Sequence, residues 1–202
     1  MENIIYELKN GTGKVKEYHY NGNLEFEGEY LNGLRNGKGK EYDGDGKLKF
    51  EGEYLNGLKN GKGKEYNEIG ELIFEGEYLY GYRLKGKYYI NERLEYEGEY
   101  LFYNKYNGKG YDEYGNIIYE LKNGTGKVKE YNRLGVLIFE GEYLNGLKNG
   151  KGKEYYDDGT LKYEGEYLNG KRNGRAKEFD SDGKLSYEGE YLNGERNLQN
   201  KI

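Results

Sequence analysis

The chain has 202 residues, of which 34% are hydrophobic and 34% are charged, and its mean hydropathy is −1.18. So polar a composition excludes a globular domain with a thick apolar core. Aromatic residues make up 16% of the chain, with 27 Tyr and 6 Phe, whereas disordered chains are poor in aromatic residues. The composition therefore predicts a thin, extended structure with little interior.

The net charge is −5, and the chain contains neither Cys nor Pro. An acidic chain has no electrostatic basis for binding nucleic acid, and the lack of Cys excludes disulfides and thiolate metal sites. No segment approaches the roughly 20 apolar residues of a membrane-spanning helix, and no apolar targeting segment follows Met1. We therefore expect a cytoplasmic protein, either free or associated with the cytoskeleton or a membrane.

An aromatic-Glu-Gly-Glu-Tyr motif recurs along the chain, with steps of 24, 24, 22, 43, 24 and 24 residues between its copies. Shortened units lie near residues 4–23 and 117–136, and residues 3–18 are identical to residues 116–131. No linker separates the units, so residues 1–202 are predicted to form one domain of about nine repeats. The motif ends at Tyr30, Tyr54, Tyr78, Tyr100, Tyr143, Tyr167 and Tyr191.

Each full unit has the pattern of a β-hairpin, as residues 48–66 show. Phe50, Gly52 and Tyr54 alternate with charged residues, and this period of two indicates a strand with one aromatic face. The Asn-Gly pairs that begin at Asn56 and Asn60 bracket a predicted turn, and a second strand returns from there. The hairpin is predicted to carry aromatic residues on one face and Glu–Lys pairs on the other.

The register of this hairpin can also be predicted. Pairing Tyr54 with Gly61 places Glu53 opposite Lys62, Gly52 opposite Gly63 and Glu51 opposite Lys64. Strict alternation then puts Tyr66 on the charged face, which predicts a bulge near Lys64 or a separate role for that Tyr.

Glycine within a strand is costly, so each of these glycines is predicted to leave room for an aromatic ring from the adjoining hairpin. A single unit has no second layer against which to bury its aromatic face, so neighbouring units must stack. The predicted structural core consists of Phe26, Gly28, Tyr30, Phe50, Gly52, Tyr54, Phe74, Gly76, Tyr96, Gly98, Phe139, Gly141, Tyr143, Tyr163, Gly165, Tyr167, Tyr187, Gly189 and Tyr191.

This unit resembles the MORN (membrane occupation and recognition nexus) repeat, whose pattern is Tyr-x-Gly-x-Trp/Tyr followed by spaced glycines. The resemblance covers essentially the whole chain, and the near-identity of the units is similar to the arrays of protists or AT-rich bacteria. Tyr replaces the usual Trp throughout, and Asn60 stands where many members have His. The matching residues of this unit are Phe50, Gly52, Tyr54, Gly57, Gly61 and Gly63.

The resemblance implies an all-β fold: an elongated, single-layer, twisted antiparallel sheet of stacked hairpins, with a groove along the aromatic face. Family members act as scaffolds, and some bind a partner peptide or helix along that groove. Several members form dimers, so a homodimer is a further expectation. The leading hypothesis is therefore a non-catalytic protein-binding scaffold or adaptor.

Two alternatives remain at this point. The chain is either a peripheral module that binds anionic lipid, including phosphoinositides, or a targeting segment of a larger protein. Because the lysines that would bind lipid face paired glutamates, the lipid alternative is the weaker of the two binding hypotheses. These lysines are Lys38, Lys40, Lys62, Lys64, Lys151 and Lys153.

The sequence offers no catalytic constellation. His19 is the single His, and Ser181 and Ser186 are the only serines, so no nucleophile–base pair can be assembled. The Glu-Gly-Glu carboxylates recur identically from unit to unit, which is typical of a solvated ladder. We expect no catalytic residue, no cofactor and no metal site, and we interpret His19 as a surface residue in a turn.

Residues 79–115 break the repeat and supply chemistry that the other units lack. Tyr residues are favoured at recognition surfaces because they offer a large contact area at low entropic cost. The competing interpretation is that this region drifted or repacked around a 22-residue unit. The predicted partner-binding residues are Tyr78, Tyr80, Tyr82, Tyr88, Tyr89, Tyr100, Tyr103, Tyr106 and Tyr111.

Overall fold

A computed structural model describes residues 8–198, and these residues form antiparallel β-strands joined by short turns. Residues 4–7 of the predicted first short unit lie outside this range. The chain divides into two compact units, one ending at Arg93 and the other beginning at Leu94. The prediction of a single uninterrupted domain stays a prediction, and the two units are described separately below.

The strands of unit 1 pair in chain order, each antiparallel to the next. They are β1 (Gly13–Tyr18), β2 (Leu24–Leu31), β3 (Leu34–Tyr42), β4 (Leu48–Leu55), β5 (Leu58–Tyr66), β6 (Leu72–Leu79) and β7 (Tyr82–Ile90).

In unit 2 the paired strands are also antiparallel neighbours in chain order. The first strand of this unit begins at Arg93, which is the last residue of unit 1. β8–β10 pair in chain order, and β11–β17 form a seven-stranded sheet in chain order. The strands are β8 (Arg93–Leu101), β9 (Asn104–Tyr111), β10 (Ile117–Leu121), β11 (Gly126–Tyr131), β12 (Leu137–Leu144), β13 (Leu147–Tyr155), β14 (Leu161–Leu168), β15 (Lys171–Phe179), β16 (Leu185–Leu192) and β17 (Glu195–Arg196). The predicted all-β fold of stacked antiparallel hairpins is confirmed.

The hairpin turns are shorter than predicted. Leu55 pairs with Leu58, so the turn consists of Asn56 (φ 50°) and Gly57 (φ 85°) alone. Both residues lie in the left-handed region, as a two-residue type I′ turn requires. Gly61 (φ 97°) lies inside β5, where the register shifts, and not in the turn.

That bulge changes part of the predicted register. Gly52 pairs with Gly63 and Glu51 with Lys64, as expected. Glu53 does not lie opposite Lys62 within the hairpin. Instead, Glu53 pairs with a residue of β3, and Lys62 pairs with a residue of β6. The sequence prediction assumed one-to-one pairing, but Tyr54 pairs with Lys59 and not with Gly61, because the bulge sets three residues of β5 against Glu53 alone.

The predicted irregularity near Lys64 is present. The register between β5 and β6 shifts between Glu65 and Tyr66. Tyr66 also has a separate role, since its hydroxyl donates a hydrogen bond of 2.8 Å to Glu51 on the charged face.

Successive hairpins stack along the turn edge through backbone hydrogen bonds. The N–H of Gly57 donates to the carbonyl oxygen of Arg35, at 2.8 Å, in the preceding hairpin. The side-chain oxygen of Asn36 accepts from the N–H of Asn56 at 3.4 Å. The Asn at this position of the regular second strands therefore holds the next turn in place, which explains its recurrence in the repeat.

The aromatic rings form a buried layer on one face of each unit. Phe50 is 0% exposed, and its ring makes edge-to-face contacts with Tyr54 at 5.6 Å and Tyr78 at 5.2 Å between centroids. A β-carbon on Gly52 would lie 2.7 Å from the Phe50 ring, and one on Gly63 would lie 2.5 Å from it. The ring that covers these glycines thus comes from their own hairpin, and Tyr78 of the adjoining hairpin adds a contact at Gly63.

Candidate functional site

A row of cationic side chains covers the aromatic layer. The Nζ of Lys148 lies 3.8 Å from the centroid of the Phe139 ring, and the guanidinium carbon of Arg172 lies 4.1 Å from that of Tyr163. Such placements add cation–π attraction to the burial of the ring. The residues of this row are Arg35, Lys59, Arg83, Lys105, Lys148, Arg172 and Arg196.

The sequence analysis missed this row, although the sequence contains a signal for it. Each of these cations stands five residues after the Tyr that ends the Glu-Gly-Glu-Tyr motif, as Lys148 does after Tyr143. Tyr167 pairs directly with Arg172 across the hairpin, so the cation shares the face of the rings.

Carboxylates anchor these cations. Arg172 donates hydrogen bonds to Glu154 and Glu178, and the hydroxyl of Tyr167 donates to Glu154 at 2.8 Å. Burial alone would raise the pKa of Glu154, but hydrogen bonds from Arg172 and Tyr167 and the charge of Arg172 hold that pKa below its ordinary value. Glu154 is therefore a structural anion.

The aromatic face is consequently closed in both units. Phe26, Phe50 and Phe74 in unit 1 and Phe139 and Tyr163 in unit 2 are at most 1% exposed. The sequence analysis expected a binding groove on this face, where the cations and their carboxylates cover the rings; binding of a partner there stays a prediction.

A groove lies on the opposite, charged face of unit 2 and encloses about 940 Å³. Glycine backbone between the charged rows, at Gly141, Gly152 and Gly165, lines its floor. Its charged residues are Lys127, Lys129, Glu140, Glu142, Lys151, Lys153, Glu164, Glu166, Arg175, Lys177, Glu188 and Glu190.

The sign of the charge alternates from strand to strand across this groove. Lys153 lies 3.4 Å from Glu164, and Lys177 lies 3.5 Å from Glu188, with all four side chains about half exposed. Six basic and six acidic side chains balance each other, so the groove is neutral in sum but strongly patterned. At such exposed ion pairs the contribution to stability is small, and the side chains stay available to a partner.

Tyr155, at the end of β13, is hydrogen-bonded to a carboxylate that lines the groove. Its hydroxyl donates a hydrogen bond of 2.8 Å to Glu140 on the charged face. Burial, with the hydrogen bond and charge of Glu140, raises the pKa of Tyr155 to about 12. The hydroxyl is therefore a donor at neutral pH.

The tyrosines predicted to bind a partner occupy three environments. Tyr78 and Tyr100 are buried in the aromatic layer. Tyr80 is 64% exposed and Tyr103 is 80% exposed, and Tyr82 is also exposed. The half-buried residues are Tyr88, Tyr89, Tyr106 and Tyr111.

Tyr80 occupies an unusual backbone conformation. Its φ is +49°, at the turn position where the regular units have Asn, such as Asn56. Left-handed φ values are uncommon for residues other than Gly and Asn. The irregular region thus presents an exposed aromatic side chain from a conformation that Tyr seldom adopts.

Buried charge is rare in the part of the chain that the structure describes. Glu95 is the one buried charged residue there, and its carboxylate accepts from Lys105 Nζ at 2.6 Å and from the Tyr119 hydroxyl at 3.3 Å. This cluster repeats the carboxylate–cation–tyrosine arrangement of the other hairpins. His19 is half-buried, with Nε2 3.1 Å from the carbonyl oxygen of Tyr42.

Residues 8–198 are the part of the chain in which a metal site or a membrane-spanning helix would be visible. These residues contain no group of three or more His, Cys, Asp or Glu side chains arranged to hold a metal ion. Nor do they contain a helix long and apolar enough to cross a membrane.

Comparison with known families assigns these hairpins. The MORN repeat model matches residues 26–47, 50–70 and 139–161, and the MORN repeat variant matches residues 12–32 and 172–193. Together the matches cover half of the chain. The chain belongs to the MORN repeat family. The matched residues include strands of both units, so each unit contains MORN hairpins. A search of curated proteins finds no match.

Proposed function

We propose that this MORN protein is a non-catalytic scaffold that binds protein partners through the charged groove of unit 2. The observation that carries the proposal is the contrast between the faces: the aromatic face is sealed, whereas the opposite face holds an open groove of about 940 Å³. A groove lined by half-exposed charges of both signs supplies donors and acceptors without a reaction centre.

The charge pattern favours a protein over an anionic membrane. Two of the three basic strands of the groove, β13 and β15, lie between glutamate strands, and the third, β11, pairs with the glutamate strand β12. A uniformly negative surface therefore meets equal numbers of like and unlike charges and gains little net attraction. A polypeptide that carries both polar backbone groups and selected charges can match the alternation.

The repetition of the charged side chains supports a non-catalytic role. Catalytic groups need an environment that perturbs them individually, with a positioned partner for proton transfer. The same Glu-Gly-Glu segment instead recurs on β12, β14 and β16, and each basic strand carries two cations at the same spacing, so no charged position of the groove is chemically unique.

The proposal is tested by capture followed by reconstitution. Proteins retained by the full chain would be identified by mass spectrometry, purified, and measured by calorimetry against variants. We expect Lys151→Glu with Lys153→Glu to weaken binding at least ~10-fold, because three neighbouring strands, β12, β13 and β14, then carry the same charge across the groove.

The chain supplies a matched control. Residues 58–66 and 147–155 have the same sequence, so Lys62→Glu with Lys64→Glu makes the same change in unit 1. We expect this control to weaken binding less than ~3-fold. An equal loss in both variants contradicts a site in unit 2, and a larger loss with Tyr80→Ala and Tyr82→Ala places the partner on the irregular region instead.

The membrane alternative is tested with vesicles. The wild-type chain should not sediment with vesicles containing anionic lipid at physiological salt. Sedimentation that is sensitive to salt, and that the Lys151→Glu, Lys153→Glu variant loses, would identify the groove as a lipid-binding surface and contradict the proposal.

A further inference from the structure

The spacing of charges in the groove specifies the conformation of its partner, an inference that rests on the proposed function. Strands of like charge are two strands apart, and neighbouring strands are about 4.8 Å apart, so carboxylates recur about every 9.6 Å along the groove. Three strands supply them: β12 with Glu140 and Glu142, β14 with Glu164 and Glu166, and β16 with Glu188 and Glu190.

A polyproline II chain has the matching repeat. It has three residues per turn and rises about 3.1 Å per residue, so every third side chain recurs on one side at about 9.3 Å. In an α-helix the same face recurs after seven residues, at about 10.5 Å. A helix lying along the groove would therefore shift by about 0.9 Å from the carboxylates at each repeat. A β-strand repeats a face at about 6.7 Å, which fits neither the 4.8 Å nor the 9.6 Å period.

The width of the groove leads to the same conformation. The two charged rows are formed by residues two positions apart on each strand, such as Glu164 and Glu166, and these positions are about 6.7 Å apart. An α-helix with its side chains is about 10–12 Å wide, too broad to descend between the rows. A polyproline II chain is more extended and therefore thinner than an α-helix, so its backbone comes closer to the glycine floor at Gly152 and Gly165.

The hydrogen-bonding groups are also complementary. A polyproline II chain makes no internal hydrogen bonds, so its carbonyl groups, and the N–H groups of its residues other than proline, are free. Ammonium groups such as that of Lys153 donate, and carboxylates such as that of Glu164 accept. Alternating donors and acceptors on both sides of the groove can therefore bind the backbone of a chain that runs along it.

The sign of the partner's charge follows from the surroundings. The whole chain has a net charge of −5, so its long-range field attracts cationic peptides. Asp157, Asp158 and Asp182 are exposed in the turns that follow β13 and β15, two strands of the groove. A basic peptide gains from these acidic turns, whereas an acidic peptide is repelled.

We propose that the groove binds a polyproline II segment carrying basic residues at positions i, i+3 and i+6. The three basic side chains lie over β12, β14 and β16 and pair with the carboxylates there. The intervening residues direct their side chains away from the floor, and proline is favoured among them because it fixes the extended conformation.

Two synthetic peptides test the inference by fluorescence anisotropy with the full chain. Both contain three Arg within the same Pro-rich composition, but one spaces them at every third position and the other places them side by side. Because net charge is the same, a simple electrostatic attraction treats the peptides alike. We expect the spaced peptide to bind at least ~10-fold more tightly.

A charge exchange provides the matched variant. Lys153→Glu with Glu164→Lys keeps the composition and the 3.4 Å ion pair but interrupts the alternation, and circular dichroism checks that the fold is unchanged. We expect this variant to bind the two peptides within ~2-fold of each other. Equal binding of both peptides to the wild-type chain, or no binding of the spaced peptide at millimolar concentration, overturns the inference.

The outcome can be separated from that of the proposed function. If a purified protein partner depends on Lys151 and Lys153 while the peptides show no preference for spacing, the scaffold function stands and the polyproline II inference fails. If the partner is indifferent to the groove variants, the proposed function itself fails.

Discussion

Within strand β13, Lys148 and Lys153 lie on opposite faces of the sheet, and their side chains differ in exposure to solvent. Lys148 lies 3.8 Å from the ring centroid of Phe139 and 3.7 Å from Glu130, and its side chain is only 26% exposed. Lys153 pairs with Glu164 on the open side of the groove, with about half of its side chain exposed. On the aromatic face a charged side chain covers the rings, whereas on the charged face the charged side chains remain accessible to solvent.

The comparison shows how a thin polar chain can fold and still offer a surface. The rings of a single hairpin have no second layer to cover them, so the cations and carboxylates serve as that layer. Since the contacts that stabilise the fold lie on the aromatic face, the side chains of the charged face are available to bind a partner. Substitutions on the two faces should therefore differ in kind: loss of stability on one face, and loss of binding on the other.

The largest expected effect is on Gly141. A β-carbon there would lie 2.7 Å from both the Phe139 ring and the Cα of Gly152, with no room on the aromatic face. Gly141→Val should lower the free energy of unfolding by about 3 kcal/mol in chemical denaturation. Lys129→Val puts the same side chain on the charged face, where we expect a change within ~0.5 kcal/mol. Equal losses would show that the two faces do not differ in packing.

Removal of a cation should have the next largest effect. Arg172→Ala uncovers the Tyr163 ring and leaves Glu154 and Glu178 without their shared partner. We expect a loss of about 2 kcal/mol in the free energy of unfolding, because these charges are mostly buried. Lys177→Ala on the charged face should cost less than about 0.5 kcal/mol, as is usual for exposed pairs. A comparable loss in both variants would contradict the division between the faces.

A fall in pH should reduce the stability that the carboxylates of the aromatic face contribute before it affects the charged face. Burial would raise the pKa of Glu178, but hydrogen bonds from Tyr191 and Arg196 and the charge of Arg172 lower it, and the pKa of Glu154 is lowered in a similar way. Because these folded-state pKa values lie below the unfolded value of about 4.3, their stabilisation is complete above it and lost as pH falls further. Denaturation from pH 7 to pH 3 should show a steep loss of stability that Arg172→Ala makes shallower. An unchanged slope would mean that these carboxylates do not stabilise the layer.

The smallest expected effect is a gain in stability. Tyr80 has a φ of +49° at a position where regular turns have Asn, which tolerates that conformation better. Tyr80→Asn should raise the free energy of unfolding by about 0.5–1 kcal/mol, and Asn56→Tyr should lower it by a similar amount. If Tyr80→Asn instead destabilises the chain, the ring of Tyr80 contributes packing that outweighs its backbone strain.

Much of the fold could be predicted from the sequence because its signals are local and repeated. The period-two alternation around Phe50 and the Asn-Gly pair at Asn56 predicted the strand and the turn, and both are present. The bulge at Gly61 was taken for part of the turn. A second Asn-Gly pair has the same sequence signature whether it closes a hairpin or distorts a strand, and only the register distinguishes the two.

The candidate site was harder to predict. Alternation shows which side chains share a face, but it does not show which face is left open. The decisive residues are cations such as Arg172, which lies opposite Tyr167 and shares the aromatic face with Ala176, four residues further along its strand. The expectation of an aromatic groove overlooked this cover, and the groove of unit 2 lies on the other side.

The most direct test of the account is a lysine-labelling footprint, read by mass spectrometry, with and without a bound partner. The partner is the purified protein from the capture experiment or, if it binds, the spaced basic peptide. Without the partner, Lys153 should react with an acetylating reagent faster than Lys148, because its side chain is more exposed. With the partner, Lys151 and Lys153 should become protected while Lys148 keeps its reactivity. Protection of Lys148 with Lys151 and Lys153 unchanged would place the partner on the aromatic face and contradict the account.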